Sequence, residues 1–140
     1  MTAPALPTAA DAEAVRRVLH TYTLAVDTCD CDLLRSVFTP DVVLHRVDGP
    51  RTGRDAVLEF YRSVFDGPVD WSVHLVTNVL VDRTDGDLVS RSAFHSAQLS
   101  GGTVIDIYGR YRHRFATEGD GLRIAEKWID VQQVFRRAAS

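Results

Sequence analysis

Lysine is almost missing from this chain: fifteen of its 16 basic residues are arginine, and Lys127 stands alone. The imbalance does not make the chain basic. The net charge is -3 and the pI about 5.9, whereas nucleic-acid partners usually require a basic face. Cysteine is limited to Cys29 and Cys31. Two positions apart is too close for an ordinary disulfide, and no second Cys or His cluster completes a four-ligand zinc site. They read as reduced thiols near a helix junction. No apolar run approaches the ~20 residues that cross a bilayer. The segment Met1 to Pro7 has neither the basic nor the apolar region of a secretory signal. A cytoplasmic protein without a membrane partner is expected.

Several chemistries lack their motifs. There is no GxxxxGK[ST] phosphate loop, no GxGxxG after a strand and no GxSxG elbow. The acids between Asp30 and Asp41 lack the spacing and glycine of a calcium loop. Neither a metal nor a cofactor is expected.

What is present is one domain's worth of alternating pattern: 140 residues, 45% hydrophobic and 25% charged. Residues 1–8 read as a flexible arm, 9–136 as a single domain and 137–140 as a tail. Thr8 with Asp11 forms a capping box, opening a helix over Ala9 to Asp27. Val15, Val18, Leu19, Tyr22 and Val26 give it an apolar stripe. Asp30 or Asp32 caps a short helix, Leu33 to Phe38, which Pro40 ends. Val42 to Val47 reads as a strand and Asp48-Gly49-Pro50 as a turn. A third helix, capped by Thr52, spans Arg54 to Phe65. Four long strands follow, Trp71 to Asp82, Leu88 to Leu99, Thr103 to Ala116 and Leu122 to Phe135. Tight glycine turns join the last three to one another and the first to the second, as in antiparallel hairpins. Long twisted strands must coil. The expected fold is therefore α+β, three N-terminal helices covering a strongly curved antiparallel sheet that forms a cone-shaped barrel. Such a hollow suits a small molecule.

The order of elements and several strings resemble the nuclear transport factor 2-like superfamily, in its SnoaL-like branch. The strings are Tyr22-Thr23-Leu24-Ala25-Val26-Asp27, Asp30-Cys31-Asp32-Leu33-Leu34, Val37-Phe38-Thr39-Pro40-Asp41-Val42 and Gly53-Arg54. They continue with His74 to Val81, Gly109-Arg110-Tyr111 and Leu122-Arg123-Ile124. The resemblance covers about residues 10–135. Scytalone dehydratase, bile-acid dehydratase, ketosteroid isomerase, limonene epoxide hydrolase and polyketide cyclases share this fold, as do members that only bind or assemble. Fold therefore leaves function open.

His74 is the sharpest candidate for chemistry. It interrupts an apolar strand and shares a face with Val76 and Asn78 on strict alternation. An imidazole titrates near ~6.5 and can take and return a proton near neutrality. In the dehydratase members a His at the matching strand position is the acid/base. The bile-acid dehydratase pattern also carries a Tyr and an Asp at the spacing of Tyr22 and Asp27. Five helical residues span about 140°, so a common site needs a bent helix end or a wide pocket. Asp27 would fix the tautomer of His74, and Tyr22 would donate to a developing oxyanion. Arg46, Asn78, Phe94, Gln98 and Tyr111 are candidate substrate-binding residues. Gln98 stands where some dehydratases have a further acid or base, and it cannot transfer a proton. Leu24 stands where the scytalone type has an acid. His95, three residues from Gln98, falls on the opposite face.

The resemblance implies a cofactor-independent dehydratase, isomerase or cyclase acting on a small apolar oxygenated molecule in bacterial secondary metabolism. An epoxide hydrolase or epoxide-opening cyclase is the alternative within catalysis, though Asp27 is the only early acid. A non-catalytic binding or assembly module is the alternative outside it. Many relatives pair through the convex side of the sheet, which implies a homodimer here. Arg110, Arg112 and Arg114 share one strand face and read as a solvated or dimer-facing stripe.

Overall fold

The computed structural model describes residues 5–140; part of the expected N-terminal arm, residues 1–4, lies outside them. Helix α1 spans Ala9–Asp27 and opens on the capping box: Thr8 accepts from the Asp11 amide, and Asp11 accepts from the Thr8 amide. It ends in a Schellman motif. Cys29, at φ 53°, occupies the left-handed position usually held by glycine, with Cys29 N bonded to Val26 O and Asp30 N to Ala25 O. Helix α2 follows at once, Cys31–Ser36, with Asp30 as its cap. It starts and stops two residues before the expected span. Pro40 does not end it but sits inside strand β1, Phe38–Arg46. Proline donates nothing to a ladder, and the β1 register shifts between Phe38 and Val43.

Strand β2, Gly49–Thr52, occupies residues expected to be turn and cap. It pairs back on β1 as an edge strand, where Pro50 is tolerated. Thr52 therefore does not cap helix α3, Arg54–Phe65. Gly53 does, at φ 93° and without a side-chain bond. The long strands are β3 Trp71–Thr84, β4 Asp87–Ser100, β5 Thr103–Glu118 and β6 Gly121–Ala138. Residues 137 and 138, expected in a tail, are part of β6, and Ala139 N still bonds Gly102 O.

The six strands form one open sheet in the order β2-β1-β6-β5-β4-β3. The α+β class stands, with one departure: β1 runs parallel to β6, so the sheet is mixed. Helix α1 packs on β3 and β6 but scarcely touches β4 and β5 between them. On a flat sheet β3 and β6 would stand about 14 Å apart, wider than a helix. One helix resting on both and bridging the strands between implies a curled sheet. The core lies under the helices and includes Leu19, Leu34, Phe38, Leu44, Leu58, Phe115 and Ile124. The concavity left over β4 and β5 holds the site.

Gly109 shapes the floor of that concavity. It faces Phe94 across the β4–β5 ladder at a bulge in β5–β6. The Phe94 ring lies over it and stacks on Tyr111 at 4.2 Å. A Cβ at position 109 would meet the Asp130 carbonyl and come within 2.6 Å of Phe94 Cε1. Overpacking of this kind costs about 1–3 kcal/mol. Gly109→Ala should lower the urea midpoint accordingly; an unchanged midpoint would mean that the floor can yield.

Candidate active site

Asp27 is the last residue of α1. A carboxylate there faces the negative end of the helix dipole, an unfavourable place for it. Its bonds to β3 explain why it is tolerated. One oxygen accepts from His74 N at 2.9 Å, and the other accepts from Ser72 Oγ at 3.0 Å and lies 2.6 Å from His74 Nδ1. Ser72 and His74 stand two apart on one strand, so a single carboxylate reaches both. The pair is mostly enclosed, with side chains 13% and 16% exposed.

The tautomer follows from this geometry. A carboxylate only accepts, so Nδ1 must carry the proton facing it. Nε2 has no protein partner among the described residues and is left with its lone pair. A base held by a fixed carboxylate, with its other nitrogen free, is arranged to exchange a proton with a ligand.

The ligand's place is a cavity of about 340 Å³. Tyr22, Asp27, Arg46, His74, Phe94, Gln98 and Tyr111 all line it. Tyr22 and Asp27, far apart around the helix, share it because the hollow is wide and Asp27 stands at the helix end. Gln98 lies beside Ser96, its amide 3.3 Å from the Ser96 hydroxyl. Asn78 is a correction. It is exposed, at φ 55°, in a register break of β3 between Thr77 and Leu80. The break ends the alternation begun at His74, so Val79 rather than Asn78 packs toward the core. Asparagine suits that left-handed position, which accounts for the residue there. Leu24 is 56% exposed and outside the cavity, so the missing acid at that position is immaterial. His95 faces the other side and bonds Asp106 at 2.8 Å.

Tyr61, on α3, was not among the residues singled out from the sequence. Its hydroxyl lies 2.7 Å from that of Tyr22, and both are buried. Two hydroxyls carry two protons and share one bond, so one O–H remains to donate to a ligand or to the neighbouring Tyr111 hydroxyl. Burial pushes Tyr61 up to about 12, and pushes Tyr22 and Tyr111 well above the usual tyrosine range. All three therefore stay protonated, as donors rather than bases. The remaining wall is mostly apolar, with Val26, Phe60, Phe65, Ile107 and Ile129, beside the polar Ser72, Ser96 and Asp70. No cluster of ligating side chains capable of holding a metal occurs among the described residues, and no helix is long and apolar enough to cross a membrane.

The fold recurs in solved structures. A protein assigned as a scytalone dehydratase from Novosphingobium aromaticivorans DSM 12444 superposes with TM-score 0.83 at 17% identity, covering 94% of this chain and 92% of that one. A hexachlorocyclohexane dehydrochlorinase, LinA type 2, gives TM-score 0.83 at 15% identity over 94% and 91%. A protein assigned as an aromatic ring hydroxylase from N. aromaticivorans gives TM-score 0.83 at 24% identity over 93% and 95%. At such identities the likeness is one of fold. No protein of curated function matches the sequence significantly. The match to the SnoaL-like domain runs from residue 7 to 127, most of the chain, and the chain therefore belongs to the SnoaL-like domain family.

Proposed function

We propose that the protein is a cofactor-independent lyase that eliminates water from a small, mostly apolar, oxygenated molecule. The observation that carries this reading is the His74–Asp27 pair, with Nδ1 tied at 2.6 Å and Nε2 free in an aromatic cavity. His74 Nε2 removes a proton from the carbon next to a carbonyl. The C–H electrons form the new double bond as the C–O bond to the leaving hydroxyl breaks. The imidazolium, stabilised by Asp27, returns the proton to that hydroxyl, which departs as water. The free hydroxyl of the Tyr22–Tyr61 pair donates to the carbonyl oxygen as negative charge develops there. Two structural neighbours carry names of eliminations, a dehydratase and a dehydrochlorinase, which supports this class. Isomerisation or ring closure uses the same proton transfer and differs in the substrate.

Epoxide opening favours a pair of carboxylates, one to activate water and one to protonate the epoxide. The other acid on the cavity lining, Asp70, is exposed at the rim and accepts from Gly101 N at 3.0 Å. That ranks the epoxide reading lower.

The test is a comparison of metabolites between cells with and without the gene, followed by conversion of the accumulating compound with purified protein in heavy-oxygen water. A product lighter by one water and free of the label is expected. Incorporation of the label would establish hydrolysis instead, and no conversion would favour a binding module.

A homodimer is proposed on the outer sheet face. Tyr108 and Phe135 meet edge-on there while 41% and 56% exposed. Light scattering should give twice the chain's 15.6 kDa, and the monomer mass would refute it.

A further inference from the structure

The chain's only lysine is also its most enclosed charge. Lys127 has 0% exposure, on the inner face of β6 between Leu44 of β1 and His113 of β5. No carboxylate among the described residues pairs with it. An isolated buried ammonium is among the costliest groups a core can hold. The elimination chemistry above does not touch it, because Lys127 does not line the cavity.

Its surroundings are specific. Nζ lies 3.0 Å from His113 Nε2, 3.5 Å from the centre of the Tyr111 ring and 4.0 Å from the centre of the Tyr22 ring. Those two rings stand nearly perpendicular, at 87°. An ammonium has three N–H bonds and no lone pair. With His113 protonated on Nδ1, which is buried without a partner among the described residues, its three neighbours are one nitrogen lone pair and two electron-rich ring faces, one acceptor for each bond. Cations are attracted to such faces, most strongly when desolvated. Burial and the charge of Lys127 push His113 well below the usual histidine range, so its imidazole is neutral. Burial also pushes the lysine itself down; the ring faces and the imidazole act against it.

Tyr22 and Tyr111 stand between this group and the cavity. We propose that Lys127 is a positioning residue for the tyrosine pair: an ammonium seated against the Tyr22 ring that makes its hydroxyl a stronger donor to substrate oxygen. This role rests on reading the cavity as a site of proton transfer. A positive charge 4.0 Å from the centre of the Tyr22 ring favours the gain of negative charge on the Tyr22 oxygen as it donates, even at an effective dielectric of about 20. The titratable groups around Nζ are His113 and Tyr111 from β5 and Tyr22 from α1, with Tyr61 of α3 reached through Tyr22.

The experiment exploits the scarcity of lysine. Protein labelled with 15N-lysine has a single Nζ resonance. At pH 7 it should show an ammonium with three attached protons. In Lys127→Met, a neutral replacement of similar shape, the Tyr22 Cζ resonance of 13C-tyrosine-labelled protein should move, assigned through Tyr22→Phe. With a substrate in hand, Lys127→Met should lower kcat about tenfold and leave KM within about twofold. A neutral amine at pH 7 overturns the proposal even if Lys127→Met does not fold. An unmoved Tyr22 resonance in a folded variant overturns it as well. Both signals are read without turnover, so failure of the proposed elimination is told apart from failure of the lysine's role.

Discussion

Replacing His74 by alanine should lower turnover by about 10³-fold, the midrange of what a positioned acid/base contributes. The loss should fall on kcat, since the apolar wall that holds the substrate is untouched. Two of the three bonds to Asp27 survive the change, from His74 N and from Ser72 Oγ. The end of α1 therefore stays tethered to β3. The structural cost is one charge-assisted hydrogen bond and a mostly enclosed ring, about 2 kcal/mol. A thermal melt within several degrees of the parent, beside a thousandfold slower single-turnover rate, is the expected combination. Turnover within a few-fold of the parent would remove His74 from the mechanism, and with it the proposed function. Tyr22→Phe is the gentler companion, because Tyr61 keeps a hydroxyl in the same place.

The sequence was most legible where structure is decided locally. The capping box at Thr8 sets the start of α1, and it needs only neighbouring residues. Strand β2 was hidden because Gly49-Pro50 carries turn chemistry, and only pairing with β1 makes it a strand. Asn78 followed His74 on strict alternation, but a register break is a property of two strands and leaves little mark on one. The Lys127–His113 contact was hidden by the same cause. Without the bulge between Arg114 and Phe115, the β5–β6 hairpin would place His113 opposite Glu126. One inserted residue brings the lysine there instead and turns it inward. The Asp27–His74 pair was visible only through family resemblance, since helical spacing argued against Asp27 and Tyr22 sharing a site. The chain's exit at Cys29, in a conformation unusual for a residue with a Cβ, ends α1 at Asp27.

Asp27→Asn should be nearly as damaging as loss of the imidazole, about 10³- to 10⁴-fold in kcat, for a reason that concerns one proton. In the parent the carboxylate accepts from Nδ1 and leaves the Nε2 lone pair for the substrate. An amide has one oxygen where the carboxylate has two; the fixed donor His74 N keeps that oxygen at its own position, and the NH₂ takes the position shared by His74 Nδ1 and Ser72 Oγ, whose hydroxyl can turn to accept. The NH₂ then faces Nδ1 as a donor. The ring answers by moving its proton to Nε2, which makes that nitrogen a donor with nothing to accept a substrate proton. Asp27→Ala imposes no tautomer, so it should retain more activity than Asp27→Asn, with a loss nearer about 10²-fold, despite deleting more of the side chain. This inverted order is the sharp form of the prediction. Histidine 15N shifts should report a proton on Nδ1 of His74 in the parent and on Nε2 in the Asn variant. If Asn proves milder than Ala, or the tautomer does not change, Asp27 serves only to tether β3 to the helix end. The proton chemistry would then have to be sought in the tyrosine pair instead.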